Sequence, residues 1–145
     1  MNNFTRILFC GLLLIASGAA NQAAAEENVL PIEQSEYQGI PYVSGGIGLD
    51  EREQLDAIGK NFNLKLVFAG KGGEYTADVK VEILDGIGKK VLDAVADGPW
   101  FFSKLPPGKY TVTVTMMGKE KQQRVNIGKN QKQTTLRFYW NESDF

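Results

Sequence analysis

Histidine is absent from this sequence of 145 residues, and cysteine occurs once, as Cys10. Without histidine, the chain has no imidazole to activate a serine or cysteine nucleophile and no imidazole ligand for zinc. With a single cysteine, it can form no disulfide within the chain. These absences exclude the common hydrolase triads and the usual zinc sites. We therefore expect a protein that is stabilised by packing, is not an enzyme and has no cofactor.

The chain also lacks an excess of either charge. Sixteen basic residues stand against seventeen acidic ones, which gives a formal net charge of −1. Proteins that bind nucleic acid usually present a basic face, so this balance argues against a nucleic-acid partner. Hydrophobic residues make up 43% of the sequence and charged residues 23%, proportions that favour one globular domain over a disordered chain.

The first 25 residues have the pattern of a secretory signal peptide. Arg6 supplies the positive charge, residues 7–16 form an apolar run, and small residues at 23–25 precede Glu26. We expect cleavage between Ala25 and Glu26 and export to the periplasm or out of the cell. The apolar run is too short for an ordinary transmembrane helix, and no other run is long enough, so the exported chain is not expected to span a membrane.

Two segments between this leader and the sheet domain differ from a strand pattern. Residues 26–48 contain two prolines and a Gly-Gly-Ile-Gly sequence, and they predict an extended linker that packs on an open sheet edge or docks a partner. Residues 49–62 contain a short helix. Its expected N-cap is Asp50, and Gly59 is placed to end it.

The clearest strand signal lies at residues 109–116. Tyr110 and Val112 belong to a period-two pattern in which apolar residues alternate with threonines, which predicts a half-buried strand. The preceding Leu-Pro-Pro-Gly sequence, at residues 105–108, contains two prolines that cannot donate to a strand ladder and a glycine that can reverse the chain. We interpret it as a stiff turn that joins this strand to the aromatic strand at residues 100–104 and sets their register.

Further alternating segments, separated by turn residues, complete a domain over residues 63–140. Seven short strands with turns between them are typical of a β-sandwich. Residues 141–145 are expected to be a frayed tail. The predicted strands lie near residues 64–68, 77–84, 91–96, 100–104, 109–116, 123–127 and 134–140.

The sheet domain resembles the carboxypeptidase regulatory-like domain family. An Asp-Gly turn, an aromatic strand, Leu-Pro-Pro-Gly and a Tyr-x-Val-x-Val strand follow one another as in that family, over about residues 64–139. The resemblance implies an all-β, seven-stranded transthyretin-like or immunoglobulin-like sandwich, in a family whose modules are mostly accessory and share no catalytic residues. The transthyretin-related hydroxyisourate hydrolases, which depend on histidine, are excluded. The residues that carry the resemblance are Asp97, Gly98, Phe102, Leu105, Pro106, Pro107, Gly108, Tyr110, Val112 and Val114.

Aromatic residues are the best candidates for a binding surface. Trp100 and Phe101 are consecutive, so they must point to opposite faces of their strand, and Tyr139 points away from its own neighbours on the last strand. If Phe101 and Tyr139 meet on an outer face, they form a patch suited to a protein partner or a glycan ring. The alternative is that these rings fill the core.

These patterns predict a non-catalytic exported module that binds or positions another envelope protein. The alternative is a carbohydrate-binding module, and the least favoured function is a hydrolase that uses two facing carboxyl groups. The candidate carboxylates look scattered for that purpose, namely Glu51, Glu53, Glu82 and Asp93. Basic residues near the end of one predicted hairpin form either a solvated surface or a contact for anionic polymer or lipid head groups: Lys119, Lys121, Arg124, Lys129 and Lys132.

Overall fold

A computed structural model of the protein describes residues 30–70, 76 and 78–145. In this part the chain is an all-β sandwich with nine strands, one α-helix and a final 3-10 helix. The predicted cleavage site between Ala25 and Glu26 lies outside the described residues. In chain order, the elements are β1 (Ser35–Tyr37), β2 (Ile40–Gly45), α1 (Leu49–Gly59), β3 (Leu64–Gly70), β4 (Val79–Leu84), β5 (Lys90–Ala96), β6 (Trp100–Ser103), β7 (Gly108–Met116), β8 (Lys119–Ile127), β9 (Thr134–Trp140) and the 3-10 helix (Glu142–Asp144).

The strands form two sheets that enclose one main core. The five-stranded sheet has the order β1-β2-β6-β3-β9, and the four-stranded sheet has the order β5-β4-β7-β8. β3 and β9 are parallel, whereas the other paired strands are antiparallel. The alternation seen in the sequence is confirmed most clearly in β3, β4 and β7, where buried residues that face the other sheet alternate with more exposed ones. Residues buried in the main core include Leu64, Leu66, Phe68, Val79, Val81, Ile83, Val112, Val114, Phe138 and Trp140.

The predicted count of seven strands is wrong, because the segment expected to be an irregular linker contains β1 and β2. These strands form a hairpin that turns at Gln38 and Gly39, whose φ angles are +46° and +84°. Pro41 does not prevent the pairing. The pairing of β2 with β6 begins at Tyr42, the residue after Pro41. The ladder between these two strands therefore needs no N–H group from Pro41. The strand character of this segment comes from β6, a partner far away in sequence.

The predicted role of the Leu-Pro-Pro-Gly segment is also wrong. This segment joins β6 to β7, as expected, but the two strands belong to different sheets and do not pair. The connection therefore carries the chain from one layer of the sandwich to the other and sets no register. A local sequence shows where the backbone must turn, but it does not show which strand the next segment will join.

α1 packs on the outer face of the five-stranded sheet and forms a second, smaller core there. This core contains Leu55 and Phe102, together with other apolar residues of α1, β2 and the loop after the helix. The helix begins differently from the prediction, since its N-cap is Gly48 and Asp50 makes no capping hydrogen bond. Gly59 is its last residue. A Cβ atom there would lie 2.6 Å from Cε1 of Phe102, so glycine is required for close packing.

The C-terminal residues, for which the sequence predicts a frayed tail, form a 3-10 helix. The Asn141 N–H donates a hydrogen bond to Oδ2 of Asp144 at the start of the 3-10 helix. Nζ of Lys121 lies 3.4 Å from the same carboxylate. This hydrogen bond, together with Lys121, holds the pKa of Asp144 below its usual value. Within residues 30–70, 76 and 78–145, no helix has the length and apolarity that a membrane span requires.

Asn63 connects segments that are far apart in the chain. Its Nδ2 donates a hydrogen bond of 2.7 Å to the carbonyl of Leu105, and its Oδ1 accepts one of 2.9 Å from the Leu105 N–H. Both residues are buried. The Asn63 carbonyl in turn accepts a hydrogen bond of 2.9 Å from the N–H of Thr134. The loop before β3, the turn before β7 and the start of β9 are thus joined at one residue.

Replacing Asn63 by alanine should lower the free energy of unfolding by about 2–4 kcal/mol, because it leaves two buried backbone groups of Leu105 without partners. Urea unfolding followed by tryptophan fluorescence measures this change. Asn61→Ala is the matched control, because Asn61 is exposed and its hydrogen bond to the carbonyl of Ile58 uses only the backbone. A loss below about 1 kcal/mol for Asn63→Ala, or equal losses for both variants, would contradict the prediction.

Candidate functional site

The three candidate aromatic residues lie on two different sides of the five-stranded sheet. Phe101 is fully buried in the main core, where its ring stacks on that of Tyr42 with centroids 5.4 Å apart. Trp100 and Tyr139 lie on the outer face, and Tyr139 is 56% exposed. Phe101 and Tyr139 therefore do not form a common patch, and for Phe101 the alternative of a core position holds. Alternation separates the two faces of a strand, but only the position of the second sheet decides which face is covered.

Strand register brings Trp100 and Tyr139 into one region. Trp100 pairs with Val67 of β3, and Val67 pairs with Arg137 of β9. Tyr139 lies two residues beyond Arg137 and therefore on the same face. Lys65 occupies this face as well, two residues before Val67. We call the region formed by Lys65, Val67, Trp100, Arg137 and Tyr139 the Trp100 surface.

The Trp100 surface is open because α1 covers only part of the sheet. The helix packs over β2 and β6, where Val43 and Phe102 are buried beneath it. Over β3 and β9, Val67 is half-buried, and Arg137 and Tyr139 are exposed. The surface is thus bordered by the helix on one side and by the edge strand β9 on the other.

Two cationic side chains lie against the indole ring of Trp100. Nζ of Lys65 is 3.9 Å from the ring centroid, and the guanidinium carbon of Arg52 is 5.7 Å from it. Such cation–π contacts contribute about 0.5–2 kcal/mol each, depending on desolvation. Nε of Arg52 also donates a hydrogen bond of 2.6 Å to the carbonyl of Gly46, which fixes the guanidinium beside the ring. The Trp100 ring is therefore held in place and partly covered by cations.

Positive charge is concentrated on this surface. Partial burial is the main reason why the pKa of Lys65 is lowered. Oδ1 of Asp56, which lies 3.9 Å from Nζ of Lys65, opposes this effect, whereas Arg137 lowers the pKa of Lys65 further. Arg137 pairs with Val67, and Lys65 lies two residues before Val67 on the same face, so the two cations are within electrostatic reach of each other. Lys65 and Arg137 thus bring two positive charges to a region that also carries the carboxylate of Asp56 and an exposed aromatic ring.

Glu82 and Asp93 are close together, although they look scattered in the sequence. They are direct partners across β4 and β5, and Nζ of Lys90 lies 3.6 Å from Glu82 and 3.0 Å from Asp93. The hydrogen bond from Lys80 is the main reason why the pKa of Glu82 is lowered. The pair forms an ion network on an outer sheet face. In the described part of the chain, no cluster of three or more histidine, cysteine, aspartate or glutamate side chains could hold a metal ion.

The motif residues around the Leu-Pro-Pro-Gly segment stabilise the passage between the sheets. Leu105 is buried, whereas Pro106 and Pro107 are exposed. Gly108 begins β7 with a φ of +156°. The hydroxyl of Tyr110 donates a hydrogen bond of 2.6 Å to the carbonyl of Pro106, which ties β7 back to the turn. These residues therefore stabilise the turn.

The Asp97-Gly98 turn has a structural role at the other end of β6. The Asp97 N–H donates a hydrogen bond of 3.0 Å to Oγ of Ser44. A Cβ atom at Gly98 would overlap the backbone carbonyl of Gly45, so only glycine allows β2 and this turn to approach so closely. The turn is therefore packed against β2, a strand that the sequence did not predict.

The sequence pattern does not predict that Arg52, Lys65 and Arg137 belong to a common surface. Each is an ordinary charged residue on an outward position of its element. The period-two pattern of β3 and β9 could have placed Lys65 and Arg137 outside the core. It could not have shown that they are neighbours, because the pairing of β3 with β9 joins strands at opposite ends of the domain.

The Tyr110→Phe variant should be about 1 kcal/mol less stable at neutral pH, because it loses the hydrogen bond to Pro106. Burial, and secondarily Asp85, raise the pKa of the Tyr110 hydroxyl above its ordinary value of about 10. The stabilising effect of this neutral hydroxyl is present below pH 10 and is lost as the pH rises through the higher pKa of the folded state. Urea unfolding of both proteins between pH 7 and 11 should therefore show a difference that shrinks above pH 10. A constant difference would contradict this assignment.

No family model matches the chain, and no curated protein is significantly similar to it. The resemblance to the carboxypeptidase regulatory-like domain family therefore stays a prediction. The function has to be inferred from the chemistry of the surfaces themselves.

Proposed function

We propose that the protein is a non-catalytic exported module that binds or positions another envelope protein through the Trp100 surface. The observation that carries this proposal is the open part of the five-stranded sheet, where Tyr139 is exposed beside Lys65 and Arg137. The signal-peptide pattern supports export. The two-sheet sandwich, together with the motif around the Leu-Pro-Pro-Gly segment, supports membership of the carboxypeptidase regulatory-like domain family.

The chemistry of the surface favours a protein partner with an acidic segment. Tyrosine, tryptophan and arginine are enriched among the residues that contribute most to protein–protein affinity. Lys65 and Arg137 outnumber the neighbouring Asp56, so carboxylates on a partner would find complementary charge. The cation–π contacts hold Lys65 and Trp100 in position before binding, which reduces the entropy that a partner must offset.

The two alternative functions have less support from this geometry. A carbohydrate module would need a row of accessible ring faces, but Phe101 is buried and cations lie against Trp100. A carboxylate hydrolase would need two carboxyl groups facing each other across a cleft. Glu82 and Asp93 instead lie side by side on a sheet face, with Lys90 between them.

Site-specific photo-crosslinking in cells tests the proposal. A photoreactive phenylalanine analogue is placed at Tyr139 or, as a matched control, at Val95. These residues are 56% and 54% exposed and lie on the outer faces of opposite sheets. We expect a dominant protein adduct from position 139 and no comparable adduct from position 95. Mass spectrometry of the adduct should identify an acidic segment at the crosslink.

Charge reversal then tests whether the adduct depends on this surface. Arg137→Glu should reduce its yield by roughly fivefold or more, because it replaces attraction by repulsion. Lys89→Glu makes a like change of net charge in the exposed turn between β4 and β5, and it should leave the yield unchanged. The proposal is rejected if position 139 gives no protein adduct, if both positions give equal adducts, or if the two charge reversals act equally.

A further inference from the structure

A cavity lies on the other sheet, at the ends of β7 and β8 that are near the Leu-Pro-Pro-Gly turn. It is an open cleft of about 490 Å³ between these strands and the turn that follows β4. A second cavity of about 290 Å³ adjoins it and shares Asp85, Lys109 and Tyr110 with it. Clefts of a few hundred Å³ are of the size that binds small molecules. We call the first cavity the Lys109 cleft.

Strand register arranges four polar side chains on the floor of the Lys109 cleft. Lys109 pairs with Asn126, and Thr111 pairs with Arg124. All four are on the outer face, because the residues that alternate with them, such as Tyr110 and Val125, are buried. Paired side chains start about 5 Å apart, and successive pairs on one face are about 7 Å apart. The hydrogen-bond donors of these four side chains therefore lie close enough together to contact one small organic oxyanion.

The two cations on the floor of the cleft, Lys109 and Arg124, can still bind an anion. Within the described residues, neither Lys109 nor Arg124 forms an ion pair, whereas Lys80, Lys90 and Lys121 do. A guanidinium offers five donors and matches a carboxylate or a phosphate in two parallel hydrogen bonds. Lys109 adds a second positive charge about one residue pair away.

The remaining polar groups of the cleft are already engaged. Oδ1 of Asp85 accepts hydrogen bonds of 3.0 and 2.9 Å from the N–H groups of Ile87 and Lys89, which directs this carboxylate into its own turn. The Tyr110 hydroxyl donates its proton to Pro106. Two cations against one carboxylate leave the cleft with a net positive charge. An anion would therefore bind over Arg124 and Lys109, away from Asp85.

The adjoining cavity has an apolar character. Ile87 and Pro107 line it, and Ile87 is 89% exposed. A ligand with its charged group over Arg124 could extend a short apolar chain toward these two side chains. We propose that the Lys109 cleft binds a small organic oxyanion, with a carboxylate or phosphate group over Arg124 and Lys109 and a short apolar chain against Ile87. This site is on the opposite sheet from the Trp100 surface and is independent of the proposed function.

NMR titration of the purified protein tests this site with defined probes. Acetate, butyrate, inorganic phosphate and neutral 1-butanol are added at constant ionic strength, and amide shifts are followed at residues 109–111 and 124–126. We expect saturable shifts with the oxyanions, tighter binding of butyrate than of acetate, and no saturation with 1-butanol. The acetate and phosphate arms show which head group the cleft prefers. The proposal is overturned if no oxyanion saturates or if 1-butanol binds as tightly as butyrate.

Substitutions of three exposed residues identify the side chains that bind the ligand. Arg124→Gln should weaken butyrate binding by roughly tenfold or more, because it removes a charge-assisted pair of hydrogen bonds. Lys119→Gln removes the same charge from the other end of β8, about 17 Å away, and should change nothing. Ile87→Ser should weaken butyrate more than acetate. Equal effects of Arg124→Gln and Lys119→Gln would show general charge screening and overturn the proposal.

Discussion

The pair of hydrogen bonds between the Asn63 side chain and the backbone of Leu105 is the constraint on which the rest of the sandwich depends. The chain passes from one sheet to the other just after Leu105, and the backbone there cannot pair with a strand because Pro106 and Pro107 follow. Asn63 supplies both partners that this buried backbone lacks. Tyr110 supports the same turn from β7. One buried amide side chain thus replaces a local strand pairing.

The close packing of α1 on the five-stranded sheet determines which surface is available for binding. Gly59 allows the helix to approach Phe102 closely, so the second core closes over β2 and β6. The same short helix is too small to cover β3 and β9, and their outward residues stay accessible. Trp100 lies at this border, with cations of α1 and β3 against its ring. The proposed interaction surface is therefore the part of the five-stranded sheet that α1 leaves uncovered.

Both proposed binding regions carry local positive charge, although the chain has a net charge of −1. Charges interact over about a Debye length, so the arrangement of side chains within roughly 10 Å matters more than the sum over the chain. On the Trp100 surface, strand pairing gathers Lys65 and Arg137. In the Lys109 cleft, it gathers Lys109 and Arg124. The acidic network of Glu82 and Asp93 lies elsewhere and is compensated by Lys80 and Lys90.

Period-two alternation and the chemistry of proline and glycine are local properties, so they were enough to locate the seven strands of residues 63–140 and the two faces of each strand. The ends of the strands were less well predicted, since β8 begins at Lys119 and not at residue 123. Composition also excluded chemistry that needs histidine or paired cysteines. Three features emerge only in the folded chain: the second sheet covers Phe101, Trp100 and Tyr139 share an outer face, and residues 35–45 form a hairpin. These outcomes depend on pairing between strands that are far apart in the chain, such as β3 with β9 and β2 with β6. Local patterns carry no information about such partners, since any strand with the same alternation could occupy the same position in a sheet.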